Sequence, residues 1–297
     1  MKYYLGIDGG GSTLRVALVD EDLRPTAESQ GGTANPNIIG FDAAKALIQS
    51  AVREVISAAP DREIAGVGIG IAGASLAFDW MRETIADVLP AIPVFPAIDV
   101  EIALVGAHGA RRGVLILAGT GSIAYGINDA GETVQGGGWG HLLGDEGSGY
   151  WLGLQALRAV IAWADGLDPT AEMLARRVME RLNFETPRHL VRWAYRQPAP
   201  IKEIAALAHL VLDADDPYAL PIVEQGAKSL AAIAQSVIKR LNVPDMPIAF
   251  AGGLLLMENS LSRVLCRELG FASIPQPKYP PVIGAALLAK LMLERNS

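Results

Sequence analysis

The 297-residue sequence has little cysteine, no excess of basic charge and no long apolar run, and each shortage excludes something. The single cysteine, Cys266, rules out an intramolecular disulfide and any all-cysteine metal or iron–sulfur site within one chain. Lysine and arginine number 25 against 32 aspartates and glutamates, a formal net charge of −7. That is not the basic footprint of a nucleic-acid binder, so no nucleic-acid partner is expected. No apolar run approaches the ~20 residues of a membrane span, and the start lacks the charged, apolar and small-residue order of a signal peptide. A cytoplasmic protein with no membrane partner is expected. No phosphate-binding G-x-x-x-x-G-K-[ST] occurs: Gly226-Ala227-Lys228-Ser229 lacks the first glycine and lies in a helical stretch. His108, His141, His189 and His209 show no metal-ligand spacing, and His141 has no acid or nucleophile at a telling distance, so it reads as structural.

What the chain does have is glycine, 32 residues of it, placed at turns between apolar runs. Residues 2–7 and 14–20 read as paired strands, separated by Asp8-Gly9-Gly10-Gly11-Ser12-Thr13. A weaker strand over 24–30 and the loop GGTANPNIIG follow. The apolar spacing of Ala44, Leu47, Ile48, Ala51, Val52, Val55 and Ile56 predicts a helix over 41–58. A buried-strand run at 64–73, a helix over 75–88, a strand over 92–98 and a short helix over 100–110 complete a first domain with parallel, helix-covered strands. At 113 the pattern restarts as strand, Gly119-Thr120-Gly121-Ser122, strand, turn, strand. A helix-rich stretch over 148–241, interrupted at Pro169, Pro187, Pro198, Pro200 and Pro217, precedes a strand at 247–251 that ends in Gly252-Gly253. The reading is two domains, 1–112 and 113–281, with the C-terminal helix 282–297 a candidate to pack back on the first.

A tight hairpin needs one or two glycines. The two glycine turns instead suit a backbone that must approach something closely. Converging N–H dipoles with no Cβ in the way form an anion site, and phosphate is the natural guest. Taken singly, each is equally a plain turn; taken together, one opening each half, they suggest a phosphate clamp between domains. A rival signal is Gly68-Ile69-Gly70-Ile71-Ala72-Gly73, a G-x-G-x-x-G after a strand and before a helix, with Asp99 ending the next strand. It sits on the wrong strand for a dinucleotide fold and leaves 8–13, 119–122 and 136–149 unexplained.

GIDGGGST (6–13), LAGTGSIAYG (117–126) and FAGG (250–253) resemble the phosphate-1, phosphate-2 and adenosine segments of the sugar kinase, Hsp70 and actin superfamily. GGGWGHLLGDEGSGYWLG (136–153) resembles its N-acetylglucosamine kinase branch, which is grouped with the BadF/BadG-type ATPases. The resemblance runs from residue 4 to about 286. It implies an α/β protein of two actin-like, ribonuclease H-like domains with an interdomain nucleotide and sugar cleft. It further implies an ATP- and Mg²⁺-dependent kinase acting on the 6-hydroxyl of N-acetylglucosamine or glucosamine, a small amino sugar being the partner and a homodimer a further possibility. Asp99 would be the base that takes the hydroxyl proton, though a helix N-cap is its other reading. Asp8 would stand on the magnesium side, directly or through water. Gly10, Gly11, Ser12, Thr13, Thr120, Gly121 and Ser122 would hold the phosphates, and Gly252 and Gly253 the adenosine. Asn35, with Asn37 as rival, together with Trp139, Gly140 and Asp145 would bind the sugar; Trp139 reads equally as core, and Glu146 as a first-turn acid. Three positions depart from the pattern: Ser12 replaces the usual Thr and keeps the hydroxyl, Thr13 replaces a frequent Lys or Arg, and Ala72 replaces a Ser. Relatives that drive electron transfer hold an iron–sulfur cluster with two cysteines per subunit, which Cys266 alone does not match.

Overall fold

The computed structural model describes residues 1–74, 76–212 and 216–295. Residue 75, where the predicted 75–88 helix begins, residues 213–215 of the helix-rich stretch, and residues 296–297 of the C-terminal helix lie outside the described residues. Among the described residues, nine strands form two sheets: β1 (Lys2–Gly9), β2 (Leu14–Val19), β3 (Pro25–Gly31), β4 (Glu63–Ile71), β5 (Val94–Ala97), β6 (Gly113–Ala118), β7 (Ser122–Ile127), β8 (Thr133–Gly137) and β9 (Ile248–Ala251). The first sheet has the order β3-β2-β1-β4-β5 and the second β8-β7-β6-β9. In the first, β1–β2 and β2–β3 pair antiparallel, while β1–β4 and β4–β5 pair parallel.

The chain divides into two compact units, Met1–Leu115 with Ile127–Glu132 and Pro277–Ser297, and Ile116–Gly126 with Thr133–Gln276. The sequence assigns all of 113–281 to the second domain. The turn after β7 instead joins the first unit, where Asp129 pairs with Arg112 at 2.8 Å.

Alternation along β1 organises the first unit. Tyr3, Leu5 and Ile7 point to one face, where the helices Phe41–Ala58 and Phe78–Ala86 cover them with Ile48, Val52, Val55, Met81 and Ile85. Tyr4, Gly6 and Asp8 take the opposite face. There the helix Pro281–Arg295 packs with Val282, Ile283, Ala286 and Ala289 against Tyr4, Ala17 and Val19. The helix Asp99–His108 lies beside it, joining Ile102 and Val105 to Ala285 and Leu288. Burial of each large aliphatic side chain here contributes about 1.5–3 kcal/mol.

β4 meets the C-terminal helix and the helix Asp99–His108 with glycine at every second residue. A Cβ on Gly68 would collide with the Ala285 carbonyl, one on Gly66 would lie 2.9 Å from Leu293 Cδ1, and one on Gly70 would lie 2.7 Å from Ile102 Cδ1. Gly6 of β1 meets the Val282 carbonyl in the same way. The first two glycines of the G-x-G-x-x-G spelling at 68–73 are therefore a packing floor for helices.

In the second unit, the 148–241 stretch divides into Gly149–Ala164, Glu172–Leu182, His189–Ala194, Ile201–Ala206, Ala208–Val211 and Ala219–Leu241, with a proline at every break but the one at Leu207. Helices Gly253–Leu256 and Ser260–Leu269 follow β9; the sequence reading does not anticipate them, although Asn259 and Ser262 form a capping box. Among the described residues no helix is long and apolar enough to cross a membrane.

Gly68→Ala should destabilise the protein by about 2 kcal/mol or more, since backbone cannot yield as a flexible side chain does. Calorimetry should show a melting temperature lowered by several degrees, with nothing comparable for Gly32→Ala, whose Cβ would meet no atom within 4 Å.

Candidate active site

Each unit carries its own set of the expected residues. In the first, the carboxyl ends of the parallel strands converge: Asp8 is paired with Gly70, and Gly70 with Ala97, two residues before Asp99. Because Asp8 shares its face with the helix Asp99–His108, the two carboxylates are near enough for the charge of Asp99 to act on Asp8. Burial, opposed by Arg15 across the strand pair and reinforced by Asp99, pushes Asp8 up to about 6. Burial also pushes Asp99 up, while the N–H groups of Asp99 and Val100 partly restrain it. Asp99 is the first residue of its helix, whose N-cap is Ile98, so the N-cap role expected as its alternative falls to its neighbour.

The first glycine turn is closed by Gly10 N–H donating to the Thr13 carbonyl at 2.8 Å, which commits one of its donors to the fold. Ser12 is exposed, and Thr13 half-buried. A Cβ on Gly11 would meet no atom within 4 Å, so this side of the turn is open. Thr33, which sequence reasoning did not single out, donates to the Gly10 carbonyl at 3.2 Å and tethers the following loop to the turn.

In that loop, Asn35 caps the short helix Pro36–Ile39, its Oδ1 accepting from Asn37 N–H at 2.9 Å. The Asn-Pro pair is a legible signal, a cap residue followed by proline at the first helical position. Asn37 Nδ2 donates to the Gly73 carbonyl at 3.2 Å. Gly73, at φ 80°, leaves no room for a Cβ beside Asn35 Oδ1. Asn35 and Asn37 thus both belong to this corner. Ala72 N–H donates to the Gly9 carbonyl at 2.7 Å, joining the corner to the first glycine turn.

In the second unit, the Gly119–Ser122 turn is braced from below. Gly119 N–H donates to the Gly121 carbonyl at 2.9 Å, and Gly149 and Tyr150 at the start of their helix donate to the carbonyls of Gly119 and Thr120 at 2.8 and 3.1 Å. The first N–H groups of that helix are therefore committed to holding the turn. Ser122 is buried, and its hydroxyl, expected to face phosphate, donates to the Glu146 carbonyl at 3.0 Å. Thr120 stays exposed.

Asp145 is placed against this turn. Its carboxylate is reached by the N–H groups of Ser122 and Gly140, while burial raises its pKa. A Cβ on Gly121 would come within 2.6 Å of Asp145 Oδ2. Gly140, at φ 84°, turns the chain between Trp139 and His141. Trp139 is 72% exposed, which removes its core-packing alternative. His141 stacks on Tyr150 with centroids 4.7 Å apart, in keeping with a structural role. Gly252, at φ 84°, abuts the Ala118 carbonyl beside the Gly119 turn, and Gly253 next to it is unobstructed. Among the described residues, no group of three or more His, Cys, Asp or Glu could hold a metal ion.

An acid whose folded pKa is raised binds more protons folded than unfolded, so stability falls as pH rises between the two values. For Asp8 the window runs from 3.8 to about 6. Asp8→Asn should therefore stabilise the metal-free protein above pH 6, by at most about 3 kcal/mol, and leave stability unchanged below pH 4. Urea denaturation of both proteins at the two ends of the window would measure it.

Comparison with known proteins places this geometry in context. The chain is 30% identical to an N-acetylmuramic acid/N-acetylglucosamine kinase of Clostridium acetobutylicum, covering 98% of this chain and 99% of that protein. It is 29% identical to an N-acetyl-D-glucosamine kinase of Dictyostelium discoideum, over 97% of this chain and 98% of the other. A Chromobacterium violaceum structure, provisionally assigned as an N-acetylglucosamine kinase, superposes with a TM-score of 0.77 at 28% identity, covering 97% of this chain and 99% of that one. The α/β fold of actin-like sugar kinases expected from the sequence is thereby borne out. The family profile described as BadF/BadG/BcrA/BcrD ATPase matches residues 5–289, and the chain belongs to that family.

Proposed function

We propose that the chain is an ATP-dependent amino-sugar kinase, transferring the γ-phosphoryl group of MgATP to the 6-hydroxyl of N-acetylglucosamine or glucosamine. The full-length similarity to kinases of such sugars supports the activity. The observation that carries the chemistry is Asp99: a half-buried carboxylate, pushed up by burial, at the carboxyl end of a parallel strand. Ligands of open α/β sheets bind at such ends.

Asp99 accepts the proton of the acceptor hydroxyl as its oxygen bonds to the γ-phosphorus. The bond from that phosphorus to the bridging β–γ oxygen breaks, and ADP leaves with the electron pair. Desolvation makes Asp99 a stronger base than a surface carboxylate. Gly10, Gly11, Ser12, Thr13, Thr120, Gly121 and Ser122 would supply N–H and hydroxyl donors to the phosphates. For Ser122 the hydroxyl is committed, and the N–H that would serve the phosphates also reaches the Asp145 carboxylate. Gly252 and Gly253 let adenosine lie on backbone. A single carboxylate, Asp8, fits Mg²⁺, which takes one or two carboxylates and completes its shell with phosphate oxygens and water. When bound, the ion neutralises charge on the phosphates. Asn35, through its Nδ2, and Asp145 would hold sugar hydroxyls, with Trp139 and Gly140 forming the wall. Ala72 brings no hydroxyl, and its N–H is engaged by Gly9. That favours, as the second reading, an acceptor that does not need its acetyl group held, such as glucosamine. The electron-transfer ATPase reading is not favoured: Cys266, the only cysteine, is buried.

A coupled ATP-consumption assay over N-acetylglucosamine, glucosamine, N-acetylmannosamine, N-acetylmuramic acid and glucose should show turnover with the amino sugars well above glucose. Asp99→Asn should lower kcat by about 10²–10⁴-fold with circular dichroism unchanged. Near-normal turnover in that variant would remove the base assignment.

A further inference from the structure

Asp145 is held in a way that binding a sugar does not by itself require. It is only 7% exposed, and it takes the left-handed conformation at φ 63°, uncommon for a residue other than glycine. The surrounding chain enforces this: Ser148 N–H donates to the Asp145 carbonyl at 3.0 Å, and Ser122 Oγ holds the next carbonyl, that of Glu146, at 3.0 Å. Such strain persists where the structure over-determines it, and it clusters at functional sites. The result is a carboxylate laid across the Gly121 side of the turn, next to Ser122 N–H, with Oδ1 left without a hydrogen-bond partner.

An ionised carboxylate accepts hydrogen bonds and donates none. Sugar hydroxyls can donate to it; phosphate oxygens cannot, and their charge repels it. The geometry points to Asp145 as a competitor for the nucleotide phosphates at the Gly119–Ser122 turn, from which the hydroxyls of an acceptor sugar draw it away. The turn then opens fully to ATP only when there is an alcohol to phosphorylate. The device couples the two ligands and suppresses hydrolysis of ATP by water. It rests on the reading of 119–122 as a phosphate cradle. Asp145 is in this respect a positioning residue, acting on the nucleotide through the turn.

The test is calorimetric titration with the Mg²⁺ complex of a non-hydrolysable ATP analogue, with and without the best acceptor from the sugar panel. Wild-type protein should bind the analogue several-fold more tightly with sugar present. Asp145→Asn keeps the shape, suits the left-handed backbone and removes the charge. It should bind the analogue alone at least about fivefold more tightly than wild type, the fully water-screened lower bound for one unit charge at about 4 Å. A structural role alone would not tighten nucleotide binding. Glu146→Gln, the same charge change at an exposed neighbour, should leave affinity within about twofold. The inference is overturned if Asp145→Asn binds the analogue no more tightly than wild type, if Glu146→Gln gains as much, or if sugar leaves wild-type affinity unchanged. If wild type and Asp145→Asn both fail to bind the analogue even with sugar, the phosphate reading falls and takes this inference with it.

Discussion

The first unit depends on one close approach: the helix Pro281–Arg295 lies on the strands β1 and β4 with backbone nearly touching backbone. Glycine at 6 and 68 makes that contact possible, because a methyl group at either would run into the Val282 or Ala285 carbonyl. The helix returns the approach through its own Gly284, which abuts the Ile102 carbonyl and Gly106 of the helix Asp99–His108. Two helices are thus seated on one sheet face at fixed depth. Interiors packed this closely move as units, so the seating also sets where the helix starting at Asp99 begins.

From that seating the electrostatics follow. Strand alternation turns Asp8 to the covered face, and the helix beside it brings Asp99. Two carboxylates near one another and poor in water both resist ionisation. Arg15, across the strand, is the counter-charge that partly relieves Asp8. A divalent cation or a proton arriving from an alcohol would relieve such a pair further, as the proposed phosphoryl transfer requires. The second unit repeats the theme with different parts. There a glycine turn is braced by helix N–H groups, and a buried acid faces it, compensated by the N–H groups of Ser122 and Gly140.

Much of this was legible in the chain. The apolar alternation and glycine turns gave the strand pairs, and the spacing at 41–58 gave its helix residue for residue. Asn35-Pro36 carries a helix start inside a loop-like stretch, and four residues are too few to show a period. Gly68 to Gly73 carried a misleading spelling. Glycine marks close approach without saying to what: Gly68 meets a helix more than two hundred residues away in sequence, Gly70 meets Ile102, and Gly73 meets Asn35. The helices after β9 were missed because their caps, rather than any long apolar run, mark them.

By itself, the sequence determined which elements form, which residues bear charge or hydroxyls, and that two glycine turns each open onto a strand. Those properties are local: they depend on period, turn chemistry and capping within a few residues. The tertiary structure decided which donors are already engaged. It bound Ser122 Oγ to Glu146, Gly10 N–H to Thr13, and Asp145 to the turn it faces. It also decided that burial raises Asp8 and Asp99, since desolvation is a sum over everything packed nearby, and no window of sequence contains that sum.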